Sequence, residues 1–142
     1  MSRTPAPNLQ YAALPYRRRP DGVFEVMLIT SRETRRWIIP KGWPVQQLAP
    51  HESAAREALE EGGLIGRIDE HSIGIFHYEK QLPDGPALPC SVKVFALEVE
   101  HQLASWPEQN QRRTQWFTLQ EAAVAVTEPE LGGIIQALAA LD

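Results

Sequence analysis

Three glutamates, Glu57, Glu60 and Glu61, stand in the stretch Arg56-Glu57-Ala58-Leu59-Glu60-Glu61-Gly62-Gly63. Residues three and four apart share a helical face, so in a helix Glu57 neighbours both of the others. Like charges at that spacing repel and weaken the helix unless water or cations relieve them. Clustered carboxylate oxygens suit hard ions such as magnesium and manganese. Arg56 can reach Glu60 one turn on and orient it. Taken alone, the string reads better as a solvated acidic face. Its context changes that balance.

The pattern around it defines the elements that must hold these side chains. Pro50 suits a first helical position, and Gly62-Gly63 ends the pattern. Between them Ala54, Ala55, Ala58 and Leu59 fall on one side at helical spacing. Upstream, residues 1–8 read as a loose leader and residues 10–18 as a strand that Pro15 should restrict to an edge or a bend. Asp21-Gly22 marks a turn into the strong strand VFEVMLIT, which predicts a hairpin. Trp37-Ile38-Ile39 is extended, and Lys41-Gly42-Trp43-Pro44 begins a loop. Downstream come two long extended stretches joined at Pro83-Asp84-Gly85-Pro86, and then the short strand TQWFTL. Thr118 with Glu121 forms a capping box for a helix, and a last helix is expected over about 130–141. The pattern predicts an α/β (α+β) fold with a single domain over 9–142.

Composition narrows the function classes. A net charge of −4 argues against general nucleic-acid binding. Arg17, Arg18, Arg19, Arg32, Arg35, Arg36 and Lys41 crowd the first third, whereas no lysine or arginine follows Arg113. That asymmetry suggests a local anionic ligand, with a solvated charged edge as the alternative for the arginine triplet. No stretch is long and apolar enough to span a bilayer, and with no apolar run after the early basic residue no signal peptide is expected. The lone Cys90 has no internal disulfide partner, reads as a small buried residue, and fits a cytoplasmic location. Oligomeric state does not follow from the pattern.

The acidic segment, with Gly42 ahead of it, resembles the Nudix box. The family pattern is a glycine, five residues, a glutamate, seven residues, and then Arg-Glu-U-x-Glu-Glu-x-Gly-U, where U is bulky and aliphatic. Gly42, Arg56, Glu57, Glu60, Glu61, Gly63 and Leu64 all fall on their positions. Ala58 is a mild departure at the first U. Leu48 is a larger one, because it occupies the place of the first glutamate; Glu52 is a candidate to compensate in part. The resemblance implies an α/β/α sandwich with a mixed sheet, and hydrolysis of a diphosphate linkage with Mg²⁺ (or Mn²⁺). Glu57, Glu60 and Glu61 would hold the metal, with Arg56 among the catalytic residues and Gly42 and Gly63 shaping the motif.

Within the family, RRWIIPKGWP and QWFTLQEA look most like the branch of diphosphoinositol polyphosphate and diadenosine polyphosphate hydrolases. That likeness implies a polyphosphorylated small-molecule substrate gripped by basic side chains. Arg18, Arg19, Arg36, Lys41, Lys93 and Arg113 are the candidates, with Lys41 foremost because it abuts the box. A nucleoside triphosphate or ADP-ribose pyrophosphatase, or a non-catalytic nucleotide-binding module, stays open. Trp43 is expected to pack, as are the other tryptophans, and His77 and Glu108 are minor site candidates.

Overall fold

The computed structural model describes residues 8–141; the rest of the expected leader, residues 1–7, lies outside them. Asn8 is tied down at once, its side chain donating to the Pro89 carbonyl (2.9 Å) and its own carbonyl accepting from Ser91 (3.2 Å). In chain order follow β1 (Leu9–Arg18), β2 (Phe24–Thr30), β3 (Trp37–Ile38), β4 (Lys41–Gly42), α1 (Pro50–Gly62), β5 (Leu64–Lys80), β6 (Leu88–Gln102), β7 (Thr114–Thr118), α2 (Leu119–Ala125) and α3 (Pro129–Ala137). The expected last helix starts as predicted but its α part stops at Ala137, where a 3₁₀ turn over Leu138–Ala140 takes over. No helix among the described residues is long and apolar enough to cross a membrane.

The sheet runs β3-β2-β1-β6-β5, with β4 added to β1 and β7 to β2. It is mixed because β1 lies parallel to β6, while the other pairs are antiparallel. Strand alternation sends successive residues to opposite faces. Ala12, Leu14, Val26 and Leu28 meet Ala122, Leu131 and Ile135 of the late helices on one face. Ala13, Met27, Phe95 and Leu97 meet Ala54 and Ala58 of α1 on the other. Helices on both faces of a mixed sheet make the expected α/β/α sandwich. The small alanines let α1 lie close to β1, which brings its acidic face to the sheet's end.

Of the two placements expected for the strand with Pro15, an edge or a bend, the edge is wrong, since β1 is central. The ladder explains how. β6 pairs along Leu9–Tyr16, but on the other side β4 reaches only Tyr11 and Ala12, and β2 joins only from Tyr16. Ala13 N–H donates to the Pro40 carbonyl on that second side (3.0 Å). Two residues on, the Pro15 nitrogen faces the same side, in the gap between partners, where a missing donor costs nothing.

Thr118 caps α2 as predicted. Its hydroxyl accepts from Glu121 N–H (3.2 Å), and the Glu121 carboxylate accepts from Thr118 N–H (3.0 Å). Thr118→Ala should therefore lower the unfolding free energy by about 1 kcal/mol in chemical denaturation. An unchanged midpoint and slope would show that α2 does not depend on this cap.

Candidate functional site

Helix α1 begins with Pro50 in its first turn, and Glu52 accepts from the Ala49 N–H (2.8 Å). Glu52 thus caps the helix and does not line the cleft described below. The helix ends at Gly63, whose φ of 68° is left-handed. A Cβ there would collide with the Trp106 indole. The carbonyls left unpaired at the end of α1 are taken up by the last residue of β6 and the chain after it. Gln102 Nε2 donates to Gly62 (2.9 Å), Leu103 N–H to Gly63 (2.8 Å) and Glu108 N–H to Glu60 (3.0 Å). This connection clamps the end of the helix and carries Glu108 to its acidic face.

A cleft of about 620 Å³ opens beside that face. Glu57 and Glu61 line it together with Glu108 and Arg112. Arg32, Arg36, Lys41 and Lys80 supply a basic set from the connection after β2, from β4 and from the end of β5, tempered by Glu33 and Glu79. Gly42 lies against Glu57 so closely that an added Cβ would collide with its carboxylate. Trp43, expected to pack, stands instead at the cleft with 43% of its surface exposed.

Glu57 and Glu61 lie against each other on α1, each perturbing the other's proton affinity. Burial raises the proton affinity of both; Glu61, 6% exposed, is pushed up to about 8, with Arg112 opposing and Glu57 reinforcing the shift. Lys41 is pulled down to about 8 by burial, against the pull of Glu61. Its ammonium lies 4.8 Å from the Tyr78 ring centre, and its backbone N–H points at Glu61 Oε1 (3.4 Å).

Glu60 is placed differently. Its carboxylate pairs with Arg56 Nε (3.2 Å), one turn back, and does not line the cleft. Among the described residues no three His, Cys, Asp or Glu side chains are gathered to hold a metal ion. The donor set nevertheless fits one. Two carboxylates held in contact despite their like charge, with hard oxygen donors facing a cleft, are what a divalent cation relieves.

The basic candidates divide. Arg36 lines the cleft, tethered to Glu128 (3.4 Å) and Thr127 (3.1 Å), as does Lys41. Arg18, Arg19, Lys93 and Arg113 are not among the lining residues. Arg18 lies over the Phe24 ring and Arg19 pairs with Asp21 (2.7 Å), both at the β1–β2 turn. Lys93 is on the α1 face of β6, in step with Phe95, and Arg113 turns to Trp37. His77 is held by Glu130 outside the cleft. Sequence reasoning missed Arg112 and Lys80, and placed Arg32 in the basic first third without singling it out. For the adjacent pair Arg112-Arg113 the signal was strand alternation into β7, which places only one of them inward.

The NUDIX domain family model matches residues 9–138. The chain belongs to the Nudix family. Its cleft is therefore built on the Nudix box, with Gly42, Glu57 and Glu61 at the lining and Gly63 at the clamp. Nudix hydrolase 13, mitochondrial, of Arabidopsis thaliana is 33% identical over 103 residues, 69% of this chain and 51% of its own. Diphosphoinositol polyphosphate phosphohydrolase 3-alpha of Mus musculus is 30% identical over 101 residues, 69% of this chain and 57% of its own. The chain spans about half the length of the curated relatives it matches. Among solved structures, a C. elegans Ap4A hydrolase binary complex superposes with a TM-score of 0.68 at 19% identity, covering 94% of this chain and 96% of that one. That likeness shows the Nudix fold.

The raised proton affinity of Glu61 has a measurable sign. The folded state holds a proton there that the unfolded state releases above about 4.5, so stability falls as pH rises from there towards about 8. The metal-free protein should thus melt lower at pH 8 than at pH 6 by calorimetry, and Glu61→Gln should flatten that slope. A slope unchanged in the variant would remove Glu61 as its source.

Proposed function

We propose that this Nudix protein is a divalent-metal-dependent hydrolase of a phosphoanhydride bond in a polyphosphorylated small molecule. A diphosphoinositol polyphosphate or a dinucleoside polyphosphate is the substrate class we favour. The observation that carries the reading is the mixed lining of the cleft, where the carboxylates of Glu57 and Glu61 stand with the cations of Arg32, Arg36, Lys41 and Lys80. A ligand whose phosphates exceed those a metal can cover needs both. The similarity to the mouse diphosphoinositol polyphosphate phosphohydrolase supports the same class.

Glu57 and Glu61 would hold Mg²⁺ or Mn²⁺, and Glu60, on the same helical face, would join them on turning from its pair with Arg56. The ion supplies charge neutralisation at phosphorus and a bound water of lowered pKa. Gly42 leaves room for Glu57 to stand at the cleft, where its carboxylate would accept the proton of the attacking water. Arg36, held by Glu128, presents a guanidinium to phosphate oxygens, and Lys41 adds a point charge beside the carboxylates. The single buried Cys90 fits a reducing compartment such as the cytoplasm.

The test is a Mg²⁺- and Mn²⁺-supplemented screen of dinucleoside polyphosphates, diphosphoinositols, nucleoside triphosphates and ADP-ribose, with products identified. Cleavage of the first two classes, abolished by EDTA, is expected. Glu57→Gln should lower kcat by about 100-fold or more, the upper end of what loss of a mere supporting group does. Lys41→Ala should weaken long polyphosphates more than short ones. Full turnover in EDTA, or preference for ADP-ribose, would overturn the reading.

A further inference from the structure

Arg112 is buried where a cation has to be justified. Its side chain is 7% exposed, as deep as that of Glu61 at 8%. Its Nε donates to Glu108 (2.9 Å) and one terminal nitrogen to the Thr30 carbonyl (3.2 Å), while the other lies 3.6 Å from Glu61 Oε2. The residue is fixed from behind as well. Arg113 N–H donates to Thr30 Oγ1 (2.9 Å), and Thr30 N–H returns to the Arg113 carbonyl (3.0 Å). The guanidinium therefore hangs from the end of β2, and its planar fork spans one carboxylate from α1 and one from the connection after β6.

We propose that Arg112 is a positioning residue: it fixes the Glu61 carboxylate at the cleft by holding Oε2, while the Lys41 backbone N–H holds Oε1. Glu61 is thereby presented in one orientation from two sides. Buried ion pairs are often no more stabilising than apolar residues of the same volume, so fold stability alone does not account for this one. A guanidinium has donors in a rigid fork and stays charged, which suits it to hold three acceptors at once. Lysine in its place keeps the charge and loses the fork. The proposal rests on the metal-dependent reading of the same cleft.

The experiment measures Mn²⁺ binding by electron paramagnetic resonance, without substrate, beside kcat and KM, in the full chain and in Arg112→Lys. We expect the variant to bind Mn²⁺ about 10-fold or more weakly and to lose kcat in step, as loss of a group that orients a metal ligand does. KM should hardly move. A raised KM with unchanged Mn²⁺ affinity would make Arg112 a substrate contact and overturn the proposal. So would a loss of thermal stability with Mn²⁺ affinity and kcat unchanged. Should Arg112→Lys not fold, the Arg112 Nε–H resonance of the wild type decides. Mg²⁺ alone should shift it, and methylenediphosphonate without metal should not; the reverse overturns the assignment. A wild type that binds no Mn²⁺ defeats the metal reading itself, which is a different result from equal binding by both proteins.

Discussion

Two carboxylates held in contact at the wall of a cleft are the constraint around which this molecule is arranged. Glu57 and Glu61 repel along α1, and burial makes each still harder to ionise. The surroundings answer with a buried guanidinium, a backbone N–H from β4 and a helix laid close to the sheet on alanines. The alanines belong to α1 itself, but the guanidinium and the backbone N–H come from segments distant in sequence, so the surroundings of the acidic face are complete only when the sheet and both connections are in place.

The connection after β6 is the second member of this arrangement. It closes the unpaired carbonyls at the end of α1 and delivers Glu108 and Arg112 in the same pass. Gly63 makes that docking possible, because both its left-handed φ and its contact with Trp106 exclude a side chain. The glycine that ends the motif is thus a contact surface as well as a stop signal.

Much of this was legible in the sequence. The bounds of α1, the capping box at Thr118, the hairpin at Asp21-Gly22 and the spacing from Gly42 to Glu61 are all written in neighbouring residues. What was not legible depends on remote partners. Pro15 reads as an edge residue until the gap between β4 and β2 is known. Arg112 and Arg113 are chemically alike, and only their alternation at β7 separates a buried bridge from an exposed side chain. Trp43 reads as core until its exposure at the cleft is seen. Glu60 shares its helical face with Glu57, yet Arg56 draws its carboxylate away.

The parallel pairing of β1 with β6 has a consequence in time. Leu9 meets Ser91 and Tyr16 meets Glu98, so the sheet's middle joins the two ends of a long intervening chain. On a ribosome the first strand is released early and waits for its neighbour until β6 has emerged. The hairpin with β2 can close quickly, because its turn is short. The parallel ladder carries the loop-closure entropy of everything between, and its formation belongs to the slow part of folding. Until then the apolar face of β1, with Ala12 and Leu14, stays open to solvent and to other chains.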